Sequence, residues 1–158
     1  MSAATRIFEE MGFAVQGERR EEAVIYSLAR TASLLLRELS KVYAKAELTA
    51  ASFNLLMLLK HGKDPETMTQ HEIGRRLAVS PSDMTGLIDR LERRSLVRRQ
   101  PGKDRRVKLL EITPQGKRLL DEVWPGHLST IKQRCACLDA SKARRLVEAL
   151  AALREALA

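Results

Sequence analysis

Two helix-start signals stand eleven residues apart in the middle of this chain, and together they restrict what it can fold into. Thr69-Gln70-His71-Glu72 has the form of a capping box, in which the threonine hydroxyl accepts an early helix N–H and the glutamate reaches back to the threonine N–H. Ser80-Pro81-Ser82-Asp83 is a second cap, with proline at the first helical position, where its missing N–H costs nothing. The first predicts a helix of about two turns carrying Ile73 and Leu77. After Ser80, the residues Met84, Leu87, Ile88 and Leu91 form one apolar stripe. A short helix, a tight turn at Ala78-Val79 and a longer capped helix make a helix-turn-helix.

The residues that follow extend this unit. LVRRQ (96–100) and RVKLLEIT (106–113) read as two strands, with Pro101-Gly102-Lys103-Asp104 as the hairpin loop. A helix-turn-helix followed by a basic hairpin is a winged helix. Its capped helix, with small polar residues on the open face, fits a major groove. Its arginine-bearing tip reaches the flanking minor groove, where negative potential is focused. On this reading Lys103, Arg105 and Arg106 meet anions, Arg105 or Arg106 enters the groove, and Asp104 pins a neighbouring arginine by a charge-assisted bond. Taken alone, such a tip would more readily be a solvated turn; its place after a helix-turn-helix favours DNA.

Charge distribution agrees. The net charge is +8, and residues 71–120 hold thirteen Lys and Arg against six Asp and Glu, whereas residues 1–70 balance nine against nine. An evenly solvated surface would spread the excess; a nucleic-acid face concentrates it. Aromatic residues make up only 4%, too few for a platform that stacks single-stranded bases. No apolar run approaches the ~20 residues of a membrane span, and the N-terminus interleaves apolar and charged residues unlike a secretory signal. The two cysteines build no disulfide framework, so the expected compartment is the cytoplasm, with no membrane association. His61, His71 and His127 lack metal-ligand spacing, and neither a phosphate loop nor a nucleophile–base motif is present. The expectation is therefore no metal, no cofactor and no enzyme.

The flanks read as long helices. From Glu21 to Ala46 apolar residues (Ile25, Leu28, Ala32, Leu35, Leu36, Leu39, Val42, Tyr43) recur with helical spacing, about 40 Å if unbroken. Thr49 caps the next helix, with Leu48 and Phe53 spaced as a hydrophobic staple. Thr113-Pro114 opens another, through Leu120, Trp124, Leu128, Ile131, Cys135 and Leu138, with Pro125 as a kink point; a last stripe runs through Leu146, Leu150, Leu153 and Leu157. Such stripes require a partner helix, within the chain or from a second subunit. The expected architecture is mainly α with a small two- to three-stranded antiparallel wing. Residues 1–48 form an N-terminal arm and long helix, 49–114 a winged helix-turn-helix DNA-binding domain, and 115–158 C-terminal dimerisation helices.

The stretch from Leu48 to Leu120 resembles the MarR (multiple antibiotic resistance) regulators. The likeness rests on LT at 48–49, EIGRRLAVS at 72–80, MTGLIDRLERRSLVRR at 84–99, DRR at 104–106, IT at 112–113 and GKRLL at 116–120. The resemblance implies a homodimeric winged-helix transcription factor, usually a repressor released from a palindromic operator by a small ligand. It makes Ser80 to Arg90 the recognition helix, Asp104 and Arg106 the wing, and Arg90 a phosphate contact. Two departures stand out. Ser95 occupies a position that is usually Gly, where a left-handed serine costs about 1 kcal/mol, so a different helix end is expected. Gly74 stands where Ala is usual, which we read as close packing against the recognition helix.

The open face of that helix offers Ser82, Thr85, Gly86 and Asp89, with no Arg, Asn or Gln in its first two turns. Strong bidentate base contacts need those types, so direct readout is expected to be modest: a thymine methyl against Pro81 or Thr85, and a hydroxyl from Ser82. Asp83 serves its own cap. Arg93, Arg94, Arg98 and Arg99 meet phosphate or a solvated face, with Arg98 counted as a DNA contact. Tyr43, Phe53, Met57 and Met84 are candidates for an effector pocket, each with plain core as the competing reading. A redox reading rests on Cys137, with Cys135 expected in the core. A sequence-blind architectural binder is the remaining rival.

Overall fold

The computed structural model describes residues 2–14, 19–63, 68–102 and 108–157. The elements run α1 (Ala3–Glu10), α2 (Arg20–Ala44), α3 (Ala50–His61), α4 (Gln70–Leu77), α5 (Pro81–Arg93), β1 (Val97–Pro101), β2 (Lys108–Ile112), α6 (Pro114–Cys135) and α7 (Ala140–Glu155). Local chemistry accounts for their starts. The Thr49 hydroxyl accepts from Ser52 N–H, Ser80 from Asp83 N–H, Thr113 from Gly116 N–H and Asp139 from Lys142 N–H. The capping box is complete. Thr69 accepts from Glu72 N–H at 3.2 Å and the Glu72 carboxylate accepts from Thr69 N–H at 2.8 Å, which holds that carboxyl below its ordinary range.

Between α4 and α5 the chain turns at Ala78, in the left-handed region with φ 52°. The turn folds back closely: a Cβ on Gly74 would lie 3.3 Å from the Val79 carbonyl oxygen but 3.9 Å from Met84 Cε, so the close packing expected against α5 is against the turn before it. Met84, Leu87, Ile88 and Leu91 are all buried, so the stripe of α5 faces the core as expected. The helix end corrects an expectation. Ser95 does take φ 56°, yet α5 closes in the ordinary glycine-type manner, with Ser95 N–H on Glu92 O and Leu96 N–H on Leu91 O. Burial of both Leu91 and Leu96 completes the motif and holds serine in a conformation it would not choose.

The wing is antiparallel, with Val97 opposite Ile112 and Pro101 opposite Lys108. Pro101 therefore ends the first strand, whereas we expected it to begin the loop. A third segment contributes one bridge, Thr69 to Leu109, tying the start of α4 to the wing. α6 leaves the wing at very close range. A Cβ on Gly116 would sit 2.2 Å from the Leu96 carbonyl oxygen, so only glycine fits that point. α6 then continues unbroken through Pro125 to Cys135.

The core gathers α3, α4, α5, the wing and the first half of α6, with Phe53, Leu55, Leu56, Ile73, Ile88 and Leu120 among its innermost side chains. A small second cluster docks α1 on α2: Ile7, Phe8 and Ala23 are buried, and the Phe8 ring meets Tyr26 edge-on at 5.7 Å. Outside these cores the apolar stripes stay open. α7 buries none of its residues, and Val24, Ile25 and Leu36 of α2 are about half exposed in the single chain (52%, 52% and 50%). Cys135 is exposed, as is Cys137, which corrects the core reading of Cys135: the α6 stripe leaves the core after Ile131. Among the described residues no helix is long and apolar enough to cross a membrane.

Candidate nucleic-acid interface

α5 is the element that can enter a groove, because its two faces are chemically opposite. One is sealed in the core; the other presents Pro81, Ser82, Thr85 and Arg90, all exposed, with Gly86 half-buried and open space beside it. Ser80 ties the first turn together. Its hydroxyl donates to the Asp83 carboxylate at 2.6 Å while accepting the Asp83 N–H, and Ser82 lies 3.0 Å from the same oxygen. Because the Ser80 hydrogen is committed to Asp83, the bond between the serines is donated by Ser82. Asp83 is thus a capping residue.

The arginines behind this face divide into distinct groups. Arg99 is clamped by two acids of α5, forming ion pairs with Asp89 and Glu92, so Asp89 turns from the open face to the wing. Arg98 bridges to Glu111 on the opposite strand at 2.8 and 2.9 Å, and Gln100 joins the same carboxylate at 2.7 Å. The hydrogen bond from Arg98, then that from Gln100, holds the Glu111 carboxyl below its usual range. Arg94 donates to the carbonyls of Glu47 (2.6 Å) and Ala46 (3.0 Å) just past the end of α2. Arg93 returns to the Asp89 carbonyl at 3.3 Å. Among the described residues Arg90 has no hydrogen-bond or ion-pair partner. The localised positive charge is therefore partly structural, and among the described residues Arg90 is a cation outside that pairing. Lys103, Asp104, Arg105 and Arg106, the expected wing tip, lie outside the described residues.

The candidate effector residues are not brought together as one lining. Tyr43 and Phe53 are buried and stacked with ring centroids 4.4 Å apart, and Met57 is half-buried. Met84 lies instead beneath the α4–α5 turn, beside a cavity of about 480 Å³ lined by Gly74, Ala78 and Val79. The sequence reading missed the centre of the aromatic group. His127 on α6 sits 4.7 Å from the Phe53 ring and 5.1 Å from Trp124, with Nδ1 2.9 Å from the Tyr43 hydroxyl. Burial lowers the His127 pKa and raises that of Tyr43, so both are neutral at pH 7. The signal was available in principle: Trp124 and His127 lie three apart on one helix face.

Residues 46–107 match the MarR family. The helix-turn-helix transcriptional regulator YfiV of Bacillus subtilis is 30% identical over 146 residues, which cover 90% of this chain and 87% of YfiV. The chain belongs to the MarR family. The regulator PecS of Dickeya dadantii is 33% identical over 106 residues, 66% of this chain; the match spans 64% of PecS, just under two thirds of its length. The Mycobacterium tuberculosis regulator MOSR, solved in complex with DNA, is 25% identical with a TM-score of 0.68 over 84% of this chain and 96% of that one. MarR relatives are thus helix-turn-helix regulators; α3, the α4–α5 pair and the first wing strand β1 lie inside the family match, and β2 begins just beyond it.

Proposed function

We propose that this MarR-family chain is a dimeric regulator of transcription that binds double-stranded DNA through residues 49–114 and dimerises through residues 1–48 and 115–158. α5 lies in the major groove, with Pro81, Ser82, Thr85 and Gly86 toward base edges and Arg90 on a phosphate. Lys103, Arg105 and Arg106 serve the flanking minor groove, positioned by Asp104, and Arg98 stands at the wing's base. The protein acts as a repressor, and a small ligand releases it from a palindromic operator. Tyr43, Phe53 and Met57 mark the side on which that ligand acts, where the winged helix joins α2 and α6.

The observation that carries this reading is the exposed face of α5 with Arg90, which has no partner among the described residues, set on a helix whose other face is buried. The exposed apolar residues of α2 and α7 support the dimer, since a soluble monomer rarely leaves so continuous a patch open. Selection of bound fragments from the source genome tests it. A recovered pseudo-palindrome with half-sites about 10 bp apart is expected, bound about 10³-fold or more above random DNA. A ratio near one, with and without small-molecule extract, would leave an architectural binder instead.

A further inference from the structure

The recognition helix carries no Gln of its own in its first two turns, but the fold delivers one from α4. Gln70, the first residue of that helix, donates its side-chain amide to the Thr85 hydroxyl at 2.9 Å, and Thr85 in turn donates to the Pro81 carbonyl at 3.1 Å. A backbone carbonyl only accepts, so the single Thr85 hydrogen is spent on Pro81, and the Gln70 contact must be donated by the amide. Thr85 is left unable to donate to a base, and one of its two lone pairs is occupied from the α4 side. What Thr85 still offers a partner is the Cγ2 methyl and a single lone pair. Thr85 is exposed, one turn after Pro81, at the edge of the buried stripe that carries Met84 and Ile88.

We infer that Thr85 determines sequence preference through its methyl group, reading the 5-methyl of a thymine, and that Gln70 is the positioning residue that restricts its hydroxyl's part in the readout. This rests on the proposed DNA binding by α5 and names the base chemistry that face selects. Of the functional groups in the major groove, the thymine methyl alone is matched by an apolar branch. A threonine hydroxyl with both lone pairs open would accept more readily from the amino groups of cytosine or adenine and blur the choice.

The test uses the full-length protein and a duplex recovered by the genomic selection, with each thymine of one half-site replaced in turn by uracil, which lacks only the methyl. Wild-type protein is expected to lose about fourfold in affinity at one position, the worth of one buried methyl. Thr85→Val, which keeps the shape and removes the hydroxyl, should show the same loss. Thr85→Ser, which keeps the hydroxyl and removes the methyl, should bind the thymine and uracil duplexes equally. Gln70→Ala should narrow the preference for thymine over cytosine at that position. The inference is overturned if Thr85→Val loses the thymine preference, if Thr85→Ser keeps it, if no single uracil matters, or if Gln70→Ala leaves the base ranking intact. A selection that yields no site removes the regulator reading itself, which separates the two failures.

Discussion

The guanidinium of Arg94 donates to two carbonyls just past the end of α2, and Gln115 at the start of α6 donates to the Arg94 carbonyl at 3.3 Å. The C-terminal end of α5 is thereby fastened by one residue to the segment that follows α2 and to the start of α6. Arg90, one turn earlier, has no such role, and the two arginines should separate cleanly on substitution. Arg94→Ala is expected to cost about 1–2 kcal/mol in urea unfolding without changing the salt dependence of DNA binding. Arg90→Ala should leave unfolding unchanged and reduce the slope of log affinity against log salt by about 2, one phosphate contact for each subunit of the proposed dimer. Ser95 offers a third residue-scale prediction. Its left-handed φ of 56° serves only the helix closure, so Ser95→Gly should raise stability by about 1 kcal/mol, read from the urea midpoint.

At the scale of elements, the junction of α2, α3 and α6 is held by the Tyr43–Phe53–His127–Trp124 stack, and its one titrating group near neutrality is His127. Burial lowers its pKa in the folded chain, so between that value and about 6.5 the unfolded chain binds more protons than the folded one. Stability that is complete above the unfolded pKa is then lost as pH falls through this window. Melting temperatures between pH 7.5 and 5 should decline for the wild type and decline less for His127→Gln. The opposite trend would mean that the imidazole is protonated in the native stack.

For the whole molecule, the open question posed by a single chain is its apolar exterior. α1 and the first half of α2 form, with α7, a groove of about 860 Å³ lined by Ala23, Val24, Leu28, Leu146, Leu150 and Leu153. Leu146 and Val147 are 46% and 61% exposed, and Leu157 is 79% exposed. On the proposed dimer these positions face a second copy. Substituting Leu146 and Val147 together by Glu should shift the protein to monomers in sedimentation and abolish operator binding. The winged helix should keep its fold, because none of its core residues comes from α7.

Sequence alone determined the local signals. Caps at Thr49, Thr69, Ser80 and Thr113 each need only a side chain and the N–H three residues on, and the α5 stripe needs only a period. These were enough to read the order of elements from α2 onward and the winged helix; α1 (Ala3–Glu10), which docks on α2 through Ile7 and Phe8, was not read. Pairings across the chain were not readable, because several arginines and acids of similar type stood within reach and only the packing chose among them. Arg99 goes to α5, Arg98 to β2, Arg94 to α2 and Gln70 to Thr85, and each choice removes or commits a group that composition had counted as free. His127 was passed over for the same reason: its partners are 74 and 84 residues away along the chain, at Phe53 and Tyr43, brought within contact only by the docking of α6 on α2 and α3. A hydrogen bond or ring contact depends on ångström distances between elements. Residue type and spacing determine which elements form, whereas the way those elements pack determines which of their polar groups remain for DNA.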